Sequence, residues 1–188
     1  MEIVNRVLDL LKERRQNILD GNINCIPLPF SRFRSELPGI EKGMYYLVSG
    51  ASKAGKTQLA TYLFIFNTIF YAYHHREQVH PKFFYYNLEE TEIKITLRFM
   101  SYLLYTVTEG RKRISPVDLR STNENKVLPQ EIIDLFETEP YKSILAFYEE
   151  CMDFRPSRNP TGKKDLEVKK IHYIFAKNLK CKDYDWYL

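Results

Sequence analysis

Eight residues, Gly50-Ala51-Ser52-Lys53-Ala54-Gly55-Lys56-Thr57, constrain the architecture of this 188-residue chain more than any other stretch. Before them stands Met44 to Ser49 (MYYLVS), a short apolar run of β-forming residues bounded by glycine on both sides. Such a run reads as a buried strand of a parallel sheet. After them the sequence continues to His75 without glycine or proline (KTQLATYLFIFNTIFYAYHH). A breaker-free run that is apolar nearly all round is a helix buried against a sheet, or else a membrane span. The span is the weaker alternative. Its apolar part, Leu59 to Tyr73, covers 15 residues and is interrupted by Thr61, Asn67 and Thr68, whereas a bilayer needs roughly 20. Strand, tight glycine loop, helix is therefore the expected order at the centre of the chain.

The flanks extend this pattern. Ile3, Val7 and Leu11, with Val4 and Leu8 beside them, recur at helical spacing and predict an amphipathic helix from Glu2 to about Leu19, stopped at Gly21-Asn22. Asn24 to Gly43 carries Pro27, Pro29, Pro38 and Gly39 and should be an extended or turning connector. After Pro81, Phe83 to Leu88 (FFYYNL) reads as a second buried strand, running into Glu89-Glu90-Thr91. Thr91 is placed to cap a helix whose apolar stripe is Ile93, Leu97, Met100, Leu104 and Val107, ending before Gly110. Further helices are expected near Pro129 and Pro140, a short strand at Met152 to Phe154, and a last basic helix at about Leu166 to Ala176. Alternating strands and helices place the chain in the α/β class. The domain reading is a leading helix or linker over 1–23 and one α/β domain over 24–188.

Composition narrows the class further. Apolar residues at 44% and charged residues at 28% fit a globular chain and argue against intrinsic disorder. Cys25, Cys151 and Cys181 lie far apart with no CxxC pair, a poor basis for a disulfide framework or a zinc site. A reducing compartment and, since MEIVNRVLDLLKERRQ lacks the features of a secretory signal, a cytoplasmic location are the expectations. The formal charge of +4 is concentrated: residues 155–188 hold nine Lys and Arg against four acids. Such a segment can follow a nucleic-acid backbone, although lysines along a solvated helix are the commoner case. The same two readings apply to Arg111-Lys112-Arg113.

The eight-residue stretch matches G-x-x-x-x-G-K-[ST] in the strand–loop–helix setting that gives the pattern its meaning. Its glycines let backbone N–H groups turn inward around a phosphate, and the helix beginning at Lys56 directs its positive end at the anion. Lys56 is expected to bridge β- and γ-phosphates and Thr57 to give its hydroxyl to Mg²⁺, while Lys53 points to solvent. Gly50, Ala51, Ser52, Lys53, Ala54, Gly55, Lys56, Thr57 and Gln58 are the expected nucleotide-binding residues. Hydrolysis also needs a carboxylate to orient water. Glu89 and Glu90 stand at the C-terminal end of the FFYYNL strand, the edge where ligands gather on open parallel sheets; the competing reading is acids favoured by the first turn of a helix. Neither Asp153 nor Asp183 and Asp185 follow four apolar residues, so none makes a convincing Walker B acid.

These residues carry a resemblance. LPGIEKGMYYLVSG, GASKAGKT and FFYYNLEET, in this order and spacing, resemble the N-terminal half of the RecA-like ATPase domain of DnaB-type replicative helicases, and LRFMSYLL resembles that family's arginine-containing helix, with Arg98 at the matching place. Asn87 departs from the small residue usual before the leucine. The resemblance implies a RecA-like P-loop core of mainly parallel sheet flanked by helices, incomplete at the C-terminus. It also implies ATP and Mg²⁺ as cofactors, Glu89 as the catalytic carboxylate with Lys56, and Glu90 as a helix-start residue. For the full-length protein it implies a homo-oligomeric ring moving on single-stranded DNA. The chain ends about where the family's Walker B strand begins, so it reads as a fragment that binds ATP and need not turn it over, with poor solubility expected from open sheet edges. The alternative is a RecA- or KaiC-like ATP-binding module without unwinding activity. A helical binding or membrane protein with an accidental loop match stands as a third, non-nucleotide reading.

Overall fold

The computed structural model describes residues 2–87, 90–121, 125, 127–156 and 186–187. The chain divides into two compact units, Met1–His80 and Pro81–Leu188.

In the first unit, α1 spans Glu2–Leu19, as its apolar spacing predicts. Its end is closed by the Gly21 N–H to Ile18 and the Asn22 N–H to Asn17, a turn that satisfies the last helical carbonyls. The sequence asks for burial of its apolar positions, yet no residue of α1 is buried, and Ile3 is 76% and Leu11 57% exposed. Polar side chains tie the helix down instead. Arg14 Nη1 donates to Glu41 Oε2 at 2.6 Å, and Asn24 Nδ2 donates to the Arg14 carbonyl at 2.8 Å. The Arg14 hydrogen bond holds the Glu41 carboxyl below its ordinary pKa, and Glu41 in turn raises that of Arg14.

The proline-rich connector contains a small antiparallel pair, β1 (Ile26–Pro27) with β2 (Gly39–Ile40), separated by the single turn α2 (Ser31–Arg34). Ile26 and Ile40, partners in this pair, are fully buried. The strands meet so closely at Gly39 that a Cβ there would lie 2.3 Å from the Ile26 carbonyl oxygen.

Residues 44–49 correct the sequence reading, because no strand forms there. Tyr46 and Val48 are half-buried while Met44, Tyr45, Leu47 and Ser49 are exposed. The alternation of an extended chain survives, but no ladder partner is supplied among the described residues, and a lone strand cannot satisfy its own backbone groups. Tyr46 anchors the segment: its hydroxyl accepts from the Glu41 N–H at 2.9 Å and donates to the Gly39 carbonyl at 3.2 Å, and its ring lies 5.3 Å from that of Phe64.

From Lys56 to His74 the chain is helical throughout, as predicted, but not uniformly. Helix α3 (Lys56–Ala60) widens into a π-helical segment, Thr61–Phe66, and continues as α4 (Asn67–His74). The wide turn is visible in the Asn67 N–H, which reaches back five residues to Tyr62. Leu63, Ile65, Phe66, Ile69 and Ala72 enter the core of this unit, and Asn67 Nδ2 donates to the Pro27 carbonyl at 3.0 Å.

The second unit is mixed helix and strand. β3 (Pro81–Asn87) coincides with the predicted second strand, and β4 (Met152–Pro156) with the predicted short one. They pair in parallel with Phe83 opposite Met152, and Trp186–Tyr187, β5, joins the other side of β3 in parallel at Pro81 and Lys82. The crossover carries α5 (Glu92–Val107), α6 (Pro116–Leu119), α7 (Gln130–Glu137) and α8 (Tyr141–Cys151), the last two beginning near Pro129 and Pro140 as expected, with each proline one residue before the first turn.

The buried face of α5 is Ile95, Phe99, Leu103 and Leu104; of the predicted stripe Leu104 is buried, Leu97, Met100 and Val107 are half-buried and Ile93 is 70% exposed. Phe99 stacks on Tyr148 of α8 with ring centroids 4.3 Å apart. Burial pushes the Tyr148 phenol up to about 12. At α6, the Ser115 Oγ accepts from the Asp118 N–H at 3.2 Å and Pro116 occupies the first turn, a cap that places Leu119 in the core. The expected last helix, Leu166 to Ala176, lies outside the described residues.

Candidate functional site

The glycine loop is built from two left-handed residues. Lys53 has φ 61° and Gly55 φ 82°, and the Ala54 N–H closes a turn onto the Ala51 carbonyl at 3.2 Å. Gly55 caps the helix by position and has no side chain with which to cap it. The first helical N–H groups, which have no intrahelical partner in any helix, therefore face whatever the loop encloses. A β-branched or bulky residue at 55 would be strained there, which accounts for the second glycine of the motif. Right after the loop the Leu59 N–H bonds the Gly55 carbonyl at 2.9 Å and the helix is under way.

Lys56 folds back over this loop. Its ammonium donates to the Gly50 carbonyl at 2.9 Å and to the Ala51 carbonyl at 2.7 Å. Ala51, Ser52, Lys53 and Ala54 are exposed, as are Thr57 and Gln58 on the first turn. Of the nine predicted residues, Gly50 to Gly55 form the loop and Lys56, Thr57 and Gln58 the first turn of α3, with the Lys56 ammonium latched back across the loop. The ammonium is held only by the two carbonyls of Gly50 and Ala51, acceptors that anionic oxygens are able to replace. Thr57 offers a single hydroxyl, in keeping with Mg²⁺, which takes most of its shell from phosphate and water. Among the described residues no group of three or more His, Cys, Asp and Glu is placed to hold a metal ion by itself.

Glu89 lies outside the described residues. Glu90 is described, and the structure corrects its expected role. Helix α5 starts only at Glu92, behind Thr91 in extended conformation at the cap position without a side-chain cap bond. Glu90 precedes that cap and is gripped by Arg98, Nη1 to Oε2 at 2.7 Å and Nη2 to Oε1 at 2.5 Å. With side chains only 20% and 24% exposed, the pair fastens the segment after β3 onto the second turn of α5. Spacing arguments miss this fork because helical pairing rules cover neighbours three and four apart, whereas these residues are eight apart across a helix start.

Asp153, set aside in the sequence as a Walker B acid, lies in β4 directly after the end of α8 and pairs with Arg155 two residues on. The basic triplet is largely occupied: Arg111 pairs with Glu109 at 3.2 Å, Lys112 with Glu131 at 3.7 Å, and the Arg113 guanidinium lies 5.1 Å from the centre of the Tyr105 ring. That favours the solvated-turn reading. The basic segment beyond residue 156 is outside the described residues apart from Trp186 and Tyr187. Neither Cys25 nor Cys151 is in a disulfide. Among the described residues no helix is long and apolar enough to cross a membrane.

No protein-family model matches the chain, and neither a curated protein nor a solved structure does.

Proposed function

We propose that this chain binds a nucleoside triphosphate, ATP with Mg²⁺, in the loop Gly50–Gln58, and that it belongs to the ATPase part of a DnaB-like replicative helicase. The observation that carries the nucleotide reading is the loop itself. A left-handed Gly55 opens the first turn of the helix to backbone donation, and the Lys56 ammonium lies across the loop on the Gly50 and Ala51 carbonyls. Lys56 would bridge phosphate oxygens and Thr57 would supply one oxygen to the metal shell. The metal ion supplies charge neutralisation at the phosphates when bound.

The helicase assignment, the role of Glu89 in orienting water, a RecA-like core, a homo-oligomeric ring, action on single-stranded DNA and a cytoplasmic location rest on the sequence resemblance. The parallel β3–β4 pair and the lack of a membrane-crossing helix among the described residues are in keeping with them.

Calorimetric titration of the whole chain with Mg-ATP, alongside Lys56→Ala and Glu89→Gln, tests the reading. Binding by the wild type that weakens at least about thirtyfold in Lys56→Ala, as expected on losing a charge-assisted phosphate contact, supports the loop. Phosphate release that disappears in Glu89→Gln while binding persists supports the catalytic assignment. Equal affinity in wild type and Lys56→Ala rejects the loop, whatever the other variant does.

A further inference from the structure

We propose that Tyr46 and Phe64 form a staple that holds the two limbs of the Gly50–Gly55 loop together, and that Tyr46 is thereby a positioning residue for the nucleotide. The second half rests on the nucleotide-binding reading of that loop. Both residues belong to the first unit, Tyr46 in the extended segment that enters the loop and Phe64 in the π-helical segment that follows α3. Their rings are half-buried, with centroids 5.3 Å apart and planes tilted by 37°, within the range of favourable aromatic pairs.

A loop that cradles phosphate needs its entry and exit at a fixed spacing, because backbone donors of one limb and a lysine of the other must meet on the same anion. Where a paired strand leads into such a loop, the ladder sets that spacing. Residues 44–49 have no ladder partner among the described residues. Of their side chains only Tyr46 and Val48 are even half-buried, and Val48 has no polar group with which to fix a position. The Tyr46 hydroxyl accepts from the Glu41 N–H at 2.9 Å and donates to the Gly39 carbonyl at 3.2 Å. Both partners are themselves held: Gly39 pairs with Pro27 in the β1–β2 ladder, and the Glu41 carboxylate takes the Arg14 guanidinium at 2.6 Å. The phenol thus fixes the entry limb, and the ring carries that limb onto Phe64.

Lys56 shows why the spacing matters. It starts on the exit limb and donates to the Gly50 and Ala51 carbonyls of the entry limb at 2.9 and 2.7 Å. A drift of about 1 Å between the limbs takes these bonds beyond hydrogen-bond range, and phosphate oxygens held between the same limbs suffer equally.

Nitrogen–proton NOEs of the backbone amides and Mg-ATP calorimetry on the whole chain test the staple in Tyr46→Phe, Tyr46→Leu, Phe64→Leu and the double variant Tyr46→Leu/Phe64→Leu. In the free protein the NOEs of Ala51 to Ala54 are expected to fall in Tyr46→Leu and to fall less in Tyr46→Phe, which keeps the ring. Mg-ATP affinity should drop about fivefold in Tyr46→Phe, as for one net hydrogen bond, and at least about tenfold in Tyr46→Leu. Adding Phe64→Leu to Tyr46→Leu should change it less than about twofold, since a staple breaks once. Ile69→Val trims a fully buried side chain of α4 and serves as the stability control: its melting temperature should fall while its loop NOEs and affinity stay at wild-type values. Loop NOEs unchanged in Tyr46→Leu, affinity losses that add in the double variant, or equal losses in Ile69→Val overturn the proposal. A wild type that binds no Mg-ATP overturns the nucleotide reading, and the NOEs of the free protein then decide the staple by themselves.

Discussion

Arg98 holds Glu90 through both ends of its guanidinium, at 2.7 and 2.5 Å, and so fixes the chain leaving β3 against the body of α5. Two parallel charge-assisted bonds on a pair that is three-quarters buried are worth more than a surface ion pair. Arg98→Ala should cost about 1–3 kcal/mol in urea unfolding. Arg98→Lys should recover less than half of that, since an ammonium cannot make the fork. A double-mutant cycle with Glu90→Gln that shows no coupling would contradict this account.

At Gly39 the obstacle is backbone. A Cβ would come within 2.3 Å of the Ile26 carbonyl oxygen and 2.7 Å of the Cys25 Sγ, so Gly39→Ala must force β1 and β2 apart. Ile26 and Ile40 sit on those strands, fully buried. Overpacking of this severity is expected to cost roughly 2–4 kcal/mol. A melting temperature within about a degree of wild type would show that the two strands separate without loss.

Tyr148 links stability to alkaline pH. Its phenol is raised to about 12 by burial, against about 10 in an unfolded chain. Above pH 10 the unfolded state releases a proton that the folded state keeps, so stability is complete below pH 10 and declines as pH rises towards 12. Absorbance titration at the tyrosinate band should show one tyrosine ionising late. In Tyr148→Phe that late step disappears, and the alkaline loss of stability becomes shallower.

Thr68 is fully buried with a hydroxyl that finds no hydrogen-bond partner. In an α-helix a threonine hydroxyl can bond the carbonyl four residues back, but here the π-helical turn ending at Phe66 has shifted the carbonyls that precede it. Thr68→Val replaces the stranded hydroxyl by a methyl of the same shape and should stabilise the chain by about 0.5–1 kcal/mol. Measured destabilisation of that size would mean that the hydroxyl has a partner.

Much of this architecture is legible in the residues. The helix at Glu2–Leu19 follows from apolar spacing and the stop at Gly21, β3 from a run of aromatic β-formers, and the starts of α7 and α8 from Pro129 and Pro140. The loop at Gly50–Thr57 is also legible, because a left-handed Gly55 and the helix start at Lys56 are properties of the local chain. Local sterics and backbone geometry act within a few residues, and a sequence displays them directly.

Pairing and facing are different. MYYLVS has the composition of a strand, yet strandedness belongs to two segments at once, and among the described residues Met44 to Ser49 has no second segment to bond. The core face of α5 turned out to be Ile95, Phe99 and Leu103 because Tyr148, some fifty residues on, stacks there. The apolar side of α1 stayed exposed while Arg14 and Asn24 secured the helix by polar bonds. The sequence by itself determined where the chain turns and where helices begin. Which strands find partners, which helix faces are buried and which carboxylate Arg98 holds were decided only in the tertiary structure, since each depends on groups distant in the chain and on backbone bonds that no single segment can complete.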